Sequence, residues 1–342
     1  MDLIIYDYPF TLFYAMMSLL PSLITLIVLF LLTLIYFKVA ERYNITDKPN
    51  ARSSHTSITL RGGGVVFCLA GLLFYALSGF QYSFFIVGLF SISTISFLDD
   101  ILTLNNKIRL AVHLFAVTLL FCQWDLLQTE WYWLILAGII IIGIINAYNF
   151  MDGINGMTGC YSLIALVSLY YINNEVVSFT ANDLLIIIGL SLLVFNFFNF
   201  RKKAKCFAGD VGSVSIAFIV VFLLGQLIFK TGNLAYILLL LIYGLDTAVT
   251  IAFRLFRKEN IFEAHRSHFY QYLVNEKKLS HLFVAAVYGL LQLSVNSLLI
   301  IALPSSFSQI IGIILIAAAL FIGLRFLVEG KDTLLKASNS NL

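Results

Sequence analysis

Charged residues are scarce in this chain of 342 residues. They make up 11% of the sequence, against about 25% in soluble domains, while hydrophobic residues make up 61%. The mean hydropathy is +0.96. A soluble fold is therefore excluded. The apolar residues recur in runs of about 17 to 25, the length that an α-helix needs to cross a bilayer.

Cysteines are also few. Cys68, Cys122, Cys160 and Cys206 lie far apart and show no C-x-x-C spacing. The sequence therefore predicts neither a zinc site nor a disulfide framework, and we interpret all four as packing residues within the membrane. The first ten residues contain no Lys or Arg, and the apolar run after them is too long for a signal peptide. We expect this first segment to remain in the protein.

Length and hydropathy predict an all-α polytopic membrane protein with about eleven spans, near residues 11–37, 62–79, 82–98, 109–123, 131–148, 157–172, 183–199, 213–229, 234–252, 281–303 and 307–327. An outside N-terminus and a cytoplasmic C-terminus place every Lys and Arg except Lys230 in cytoplasmic segments, as the positive-inside rule requires. Those segments are residues 38–61, 99–108, 149–156, 200–212, 253–280 and a tail from Arg325. We expect one membrane domain over residues 1–330 and a cytoplasmic tail over 331–342.

Two adjacent carboxylates end the third predicted span. Asp99 and Asp100 are followed by Lys107 and Arg109. Charges at the edge of a membrane are costly unless they have a use. The acidic pair is either balanced by these two bases at the interface or part of a functional site.

Polar residues and glycines fill the loop after the fifth predicted span. Residues 146–156 contain three Asn, Asp152 and two glycines, interleaved with apolar residues. Glycines permit a close approach of the backbone to a ligand. A plain turn also uses Gly and Asn, but it does not require three Asn and an acid. The loop therefore predicts a ligand site.

Asp210 follows a basic cluster, residues 201–205, and stands between Gly209 and Gly212. We expect these glycines to expose Asp210 at the start of the next span, where backbone N–H groups are free to bind an anion. A carboxylate beside phosphate-binding donors predicts a bridging divalent metal.

The longest cytoplasmic loop contains two histidines. His265 and His268 share a face if the segment is helical, and they would then bind phosphate or metal. Solvated loop histidines are the alternative. Nearby bases at 254, 257 and 258 favour anion binding. Asp246, in the preceding span, is either paired with Arg254 or functional.

In this order, the segments resemble the polyprenyl-phosphate N-acetylhexosamine-1-phosphate transferases, the MraY/WecA family or glycosyltransferase family 4. The resemblance runs from about Asp47 to Gln271. It rests on residues 47–50, 52–55, 61–64, 99–100, 149–153, 207–213 and 265–268. Together these motifs are highly specific.

The resemblance implies an enzyme in which a lipid phosphate attacks the sugar-bearing phosphate of a UDP-sugar and UMP is released. It implies a requirement for Mg²⁺, with Mn²⁺ as an alternative. By the same resemblance, Asp210 with Asp100 would hold the metal, Asp99 and Asp100 form the catalytic pair, and Asp152 is an acid of the nucleotide site. Phe207 would stack on uracil.

The predicted substrate-binding residues lie in the cytoplasmic segments: Arg61, Lys107, Asn149, Asn155, Phe207, His265, Arg266 and His268. The expected partners are a UDP-N-acetyl sugar, undecaprenyl phosphate, the lipid bilayer and a second copy of the chain, but no nucleic acid. The expected location is the bacterial inner membrane, with the active site on the cytoplasmic face.

Two departures from the family's pattern concern the donor. Asn155 stands where many relatives carry Asp, and residues 265–268 replace a denser run of histidines. Both favour the branch that builds surface polysaccharides, O-antigen or cell-wall glycan, from UDP-GlcNAc or a deoxy-N-acetylhexosamine donor. They disfavour the branch that builds the peptidoglycan precursor.

Two alternatives stay open on the sequence. The lipid phosphate attacks the donor directly, or an Asp first forms a phosphosugar-enzyme. The rival function is a transporter or flippase of a phosphorylated lipid or sugar, which predicts acids near the bilayer midplane and broken spans. The acids of this chain collect on one face instead. The CDP-alcohol phosphotransferase pattern after Gly153, an H-E-x-x-H motif and a P-loop are all absent.

Overall fold

The computed structural model describes residues 8–47, 58–102, 104–261, 263 and 265–335, with the backbone alone for residues 8–18. The motif residues 48–55 and the end of the predicted tail, residues 336–342, lie outside this part of the chain. The described chain is a helical bundle. Its helices are α1 Tyr8–Arg42, α2 Val65–Leu77, α3 Ser83–Leu102, α4 Asn106–Gln123, α5 Trp131–Met151, α6 Met157–Tyr171, α7 Asn182–Asn199, α8 Gly209–Thr231, α9 Leu241–Phe256, α10 Phe269–Asn275, α11 His281–Ile301, α12 Phe307–Glu329 and α13 Lys331–Leu335.

The chain is a multi-pass membrane protein. Within the described residues, eight helical segments are long and apolar enough to cross a bilayer. Three further predicted spans coincide with α2, α4 and α6. α2 has 13 residues and α6 has 15, which is short for a span, and α4 begins with polar residues. The total of eleven and the orientation of the termini therefore stay predictions.

Helix α8 lies at the centre of the bundle and packs against α2, α3 and α5. It is buried on all sides because its residues are apolar all round, as expected for a helix inside a bundle. The rings of Phe218 and Phe222 stack on Phe85 of α3, with centroids 5.9 and 3.9 Å apart. The first turn of this central helix carries Asp210, so the fold fixes one predicted site residue at the middle of the bundle.

A small hairpin, which the all-α prediction missed, lies before α2. Strands β1 Thr46–Asp47 and β2 Thr59–Leu60 pair antiparallel. The N–H of Phe207 donates to the carbonyl of Leu60 at 2.8 Å, and the N–H of Gly63 donates to the carbonyl of Phe207 at 2.8 Å. The hairpin is thereby attached to the segment that precedes α8.

The glycines after the hairpin permit direct contact between backbones. A Cβ added at Gly64 would lie 2.2 Å from the Cα of Gly212. Gly64 and Gly212 are therefore required by this packing. The contact brings the hairpin exit against the first turn of α8.

One span is irregular. Residues 234–240 form a 3₁₀ helix that continues as α9. The N–H of Ile242 donates to Oε1 of Gln292 at 2.9 Å, and the N–H of Tyr243 donates to the hydroxyl of Tyr161 at 3.3 Å. Side chains of neighbouring helices thus bind the backbone groups at the break, as a bilayer requires. The rival transporter predicts broken spans, but the N–H groups at this break are already occupied.

The sequence suggested that a tail begins at Arg325, but no tail begins there. It is buried within α12 and donates to Oγ1 of Thr250 at 2.8 Å and to the carbonyl of Ser267 at 2.9 Å, and it pairs with Glu329. The predicted tail begins as α13, in which Leu334 is buried. Arg325 therefore connects α9, α12 and the loop that follows α9.

Reporter fusions test the predicted orientation. A reporter after Glu130 precedes α5, and a reporter after Arg257 follows α9, so five helices lie between them. If all five cross the membrane, the two reporters lie on opposite sides, and the positive-inside rule places the second in the cytoplasm. Phosphatase and fluorescent-protein fusions measure this. Two fusions on the same side would contradict the predicted topology.

Candidate active site

Three carboxylates and two guanidinium groups meet where α3 ends and α8 begins. Nε of Arg61 lies 2.7 Å from Oδ1 of Asp100, and Nη1 of Arg109 lies 2.8 Å from Oδ2 of Asp99. Asp210 joins both pairs, at 3.7 Å from Arg61 and 3.4 Å from Arg109. We call these five residues the carboxylate cluster. It confirms that residues far apart in the sequence lie together.

Asp100 connects this cluster to the backbone. Its Oδ1 accepts from the N–H of Asp210 at 2.9 Å, and its Oδ2 accepts from the N–H of Val211 at 3.1 Å. These N–H groups belong to the first turn of α8, where an anion is stabilised. The prediction that they are free for a ligand is wrong, because the carboxylate of Asp100 already occupies them.

Asp99 faces a different partner. Its Oδ1 accepts from the N–H of Leu104 at 2.6 Å, while Arg109 holds the other oxygen. Lys107, the predicted base, is exposed at the start of α4 and has no ion pair among the described residues. Arg109, which the sequence predicted as a counter-charge to the acidic pair but not as a substrate-binding residue, is therefore the base of the site. Its place in the first turn of α4, next to the end of α3, was the available signal.

Asp210 is the most accessible carboxylate of the cluster. Its side chain is 22% exposed, compared with 10% for Asp99 and 0% for Asp100. No three His, Cys, Asp or Glu side chains of the described chain form a group that could hold a metal ion. Mg²⁺ commonly uses only one or two carboxylates together with substrate phosphates and water. The hard oxygen donors of Asp210 and its neighbours fit such an ion.

Gly209 permits this arrangement. Its φ is +72°, and a Cβ at this position would lie 2.6 Å from Oδ2 of Asp100 and 2.9 Å from the N of Gly62. A side chain here would be strained and would also displace the carboxylate of Asp100. Gly209 therefore allows the hairpin exit, α3 and α8 to converge.

The end of α5 lies beside the cluster. Nδ2 of Asn149 donates to Oγ of Ser213 at 3.1 Å, which ties α5 to α8. Asp152 follows α5, and burial raises the pKa of Asp152 to about 8, with the negative charges of Asp210 and Asp100 adding to the effect. Asp152 therefore carries a proton at neutral pH in the ligand-free protein.

Asn155 is buried and serves the neighbouring loop. Its Nδ2 donates to the carbonyls of Arg201 and Lys202 at 2.9 and 3.3 Å. Its Oδ1 is buried without a partner among the described residues. Phe207, the predicted uracil platform, is partly exposed. Its backbone is fixed between Leu60 and Gly63, so its position relative to the cluster is set by the hairpin.

The two loop histidines lie together but not on one helix. His265 precedes α10 in irregular chain, and His268 is the residue before its first turn, so the helical segment that a shared face would require is not formed. Their rings nevertheless lie 5.0 Å apart, and each is about 6 Å from the ring of Phe150. Burial lowers the pKa of His265 to about 3, helped by the positive potential of His268 and Arg254. His265 is therefore a neutral hydrogen-bonding group.

Asp246 holds His268 in place. The buried carboxylate of Asp246 lies 3.3 Å from Nδ1 of His268, and it accepts from the N–H groups of Phe269 and Tyr270 at 3.0 and 3.3 Å and from the hydroxyl of Tyr288 at 2.6 Å. Nε2 of His268 is buried and has no partner among the described residues. One alternative from the sequence paired Asp246 with Arg254. In the structure, Asp246 pairs with His268 instead.

The arginines after α9 are occupied by their own loop. Arg254 is buried, pairs with Glu259 at 3.0 Å and donates to the carbonyl of Asn260 at 2.7 Å. Arg257 pairs with Glu259 at 2.6 Å and donates to the carbonyl of Leu334 at 3.1 Å. Both arginines are thus engaged within the loop, and anion binding by the bases at 254, 257 and 258 stays a prediction. Arg266 is exposed.

Comparison with known proteins covers the segments that carry this site. The model of a family described as glycosyl transferase family 4 matches residues 82–228, which include Asp99, Asp100, Asp152 and Asp210. A probable undecaprenyl-phosphate N-acetylglucosaminyl 1-phosphate transferase of Bacillus subtilis is 27% identical over 74% of this chain and 76% of its own length. The match therefore includes most of the described bundle.

Two other relatives match shorter parts. A phospho-N-acetylmuramoyl-pentapeptide-transferase of Thermotoga maritima is 30% identical over 45% of this chain and 56% of its own. An undecaprenyl-phosphate alpha-N-acetylglucosaminyl 1-phosphate transferase of Salmonella typhi is 29% identical over 61% of this chain and 63% of its own. The chain thus spans less than two thirds of these two relatives. With its carboxylates gathered at one end of a membrane bundle, the chain matches glycosyl transferase family 4 over residues 82–228 and is a phosphotransferase.

Proposed function

We propose that this enzyme transfers N-acetylhexosamine 1-phosphate from a UDP-sugar to undecaprenyl phosphate and releases UMP. The observation that carries the proposal is the carboxylate cluster, in which Asp210 stays accessible between Arg61 and Arg109. Two guanidinium groups beside an accessible carboxylate suit phosphate groups with a divalent cation. The names of the relatives in Bacillus subtilis and Salmonella typhi support the same reaction.

The reaction is a direct displacement at phosphorus. An oxygen of the lipid phosphate forms a bond to the sugar-bearing phosphorus of the donor, and the bond from that phosphorus to the oxygen of UMP breaks. UMP leaves with the electron pair. A phosphate monoester has a second pKa near 6, so the acceptor is mostly dianionic at pH 7 and needs little help from a base. The protein's task is to position two anions against their repulsion.

The burial of Asp100 argues against a phosphosugar-enzyme at that residue. Both of its oxygens accept backbone hydrogen bonds, and its side chain is 0% exposed. Asp99 is 10% exposed and holds Arg109 and the N–H of Leu104. A carboxylate that is stabilised in this way is a weak nucleophile. Direct attack is therefore the better account of the geometry.

The residues take separate roles in this scheme. Asp210 holds Mg²⁺, which supplies charge neutralisation between donor and acceptor when bound. The guanidinium of Arg61 lies 2.7 Å from the carboxylate of Asp100 and would have to move away for Asp100 to bind the same ion. Arg61 and Arg109 bind phosphate oxygens. Asp99 orients Arg109, and Asp100 fixes the first turn of α8.

The donor is bound on the side of the loop histidines. Asp246 engages Nδ1 of His268, so Nε2 is the ring nitrogen left for the donor, and His265 lies against it. Phe207 stacks on the uracil. The sugar is GlcNAc or a deoxy-N-acetylhexosamine, and the product initiates a surface polysaccharide on the cytoplasmic face of the inner membrane. The two relatives named for N-acetylglucosaminyl transfer support this donor class.

The function is tested with purified protein, Mg²⁺ and undecaprenyl phosphate. A panel of UDP-N-acetyl sugars is offered, and UMP release and lipid-linked sugar are measured. We expect UMP to appear only when donor and lipid are both present. UMP without lipid, together with labelled sugar phosphate on the protein, would contradict direct attack. A transporter would release no UMP.

The metal assignment predicts that Asp210→Asn loses turnover by a factor of 10³ or more, on the order of what one charge-stabilising group contributes. The variant should remain monodisperse on size-exclusion chromatography. The matched control is Asp183→Asn, an exposed acid at the start of α7, which should keep the wild-type rate. Removal of Mg²⁺ with EDTA should stop the wild type. Full activity of Asp210→Asn at low Mg²⁺ would rule out this role.

The geometry distinguishes two neighbouring bases. Arg109→Gln removes both ion pairs that Arg109 makes in the cluster and should lower kcat/KM by about 10- to 100-fold, the loss on the order of one charged hydrogen bond. Lys107→Gln changes an exposed side chain and should leave kcat/KM within about twofold. UMP release measures both. The reverse ranking would favour Lys107, the base predicted from the sequence.

The raised pKa of Asp152 predicts a pH dependence of stability. Its folded pKa is about 8, whereas its ordinary value is 3.8. Between these values the unfolded chain has lost the proton and the folded chain keeps it, so the free energy of unfolding falls as pH rises from 4 to 8. Asp152→Asn removes this dependence. Without Mg²⁺, the melting temperature of Asp152→Asn should exceed the wild type more at pH 8 than at pH 5. An equal difference at both values would contradict the shift.

A further inference from the structure

A second cavity lies beside the cytoplasmic ends of α1 and α7. It has a volume of about 630 Å³ and shares no lining residue with the carboxylate cluster. Leu34, Phe37 and Phe198 form an apolar wall, and the rings of Phe37 and Phe198 lie 4.9 Å apart. Leu34 precedes the last residue of α1, Arg42, by about 12 Å along the helix axis. The wall therefore lies within the apolar part of two candidate spans.

Basic side chains form the opposite rim. Arg201, Lys203 and Lys205 line the cavity, and Glu41 is the only acid among the described residues that do so. Lys203 and Lys205 are exposed, and their ammonium groups have no hydrogen bond or ion pair within the described chain. A rim with three bases and one acid attracts an anion. An apolar wall below a cationic rim is the pattern of a lipid with an anionic headgroup.

The basic loop is held rigidly. Asn155 binds the carbonyl of Arg201 at 2.9 Å, and Asn199 donates to the carbonyl of Cys206 at 2.8 Å. The N–H of Lys205 donates to the carbonyl of Phe198 at 2.9 Å, so the loop returns onto the end of α7. A basic cluster that only sets topology needs no such anchoring. The backbone that carries the rim is therefore pre-organised for a ligand.

We propose that this cavity binds an anionic phospholipid of the bilayer, with the phosphate between Lys203 and Lys205 and an acyl chain along Phe37 and Phe198. The acceptor lipid is a poorer occupant, because its phosphate must reach Asp210. Leu60 lines the cavity, whereas the next residue, Arg61, belongs to the carboxylate cluster. The two phosphate-binding sites use different bases.

The bound lipid stabilises the active site from outside. Thr46 and Leu60 of the hairpin both line the cavity, and Leu60 is bonded to the backbone of Phe207. The hydroxyl of Tyr36, on α1, donates to the carbonyl of Arg61. A lipid packed against α1 and the hairpin therefore limits the motion of the segment that carries Arg61. The protein is more stable with the lipid bound, as any ligand of the folded state requires.

Native mass spectrometry of the full-length protein in detergent tests the site. The protein is titrated with phosphatidylglycerol, and phosphatidylcholine is the lipid control. Lys203→Gln/Lys205→Gln should bind phosphatidylglycerol about 25-fold more weakly, since each base near a lipid phosphate is worth about fivefold. Lys202→Gln is the matched control, because Lys202 is exposed in the same loop but does not line the cavity. It should bind like the wild type.

A second variant tests occupancy of the cavity without a change of charge. Ala204 lines the cavity, and Ala204→Trp should fill it and weaken phosphatidylglycerol binding while the protein stays monodisperse. Three results would overturn the proposal. The first is unchanged phosphatidylglycerol binding in Lys203→Gln/Lys205→Gln, and the second is an equal loss of phosphatidylglycerol binding in Lys202→Gln. The third is a cavity variant that loses polyprenyl phosphate binding but keeps phosphatidylglycerol binding. The first two results would mean that the basic loop only sets the topology. The third would identify the acceptor lipid as the occupant of the cavity. None of these measurements depends on UMP release.

Discussion

The buried carboxylate of Asp100 is the interaction on which the rest of the site depends. It accepts hydrogen bonds from the N–H groups of Asp210 and Val211 in the first turn of α8 and pairs with the guanidinium of Arg61, so one side chain fixes the end of α3, the start of α8 and the hairpin exit. A buried charge is tolerated only when all its partners are present. The glycine contacts around α8 exist because these three backbones must approach so closely.

A second carboxylate caps the start of a helix in the same way. Asp246 of α9 accepts the N–H groups of Phe269 and Tyr270 at the start of α10, just as Asp100 accepts those of Asp210 and Val211. In each case an acid on a preceding helix caps a later one from outside. One cap places Asp210 and the other places His268. The chain thus separates the acids that build the site from the acid that is accessible to a substrate.

The sequence predicted the elements of the site better than their contacts. Asp99, Asp152 and Asp210 end or begin predicted spans on one face, so hydropathy and charge alone place them together. Hydropathy could not choose between Lys107 and Arg109, because the choice depends on where α4 begins. It could not find the partner of Asp246, since His268 lies 22 residues away across a loop. The short hairpin was missed because two-residue strands carry no periodicity.

Asn155 carries a consequence for which substitutions this part of the chain can accept. Its amide nitrogen donates to two carbonyls of the basic loop, and an ionised Asp at this position has no hydrogen to donate. A carboxylate there would face two carbonyl oxygens and repel the loop. The amide of Asn155 and the turn at residues 200–205 therefore depend on each other, and a change at one requires a change at the other. Asn155→Asp alone would therefore loosen the turn that carries Arg201 and Lys202.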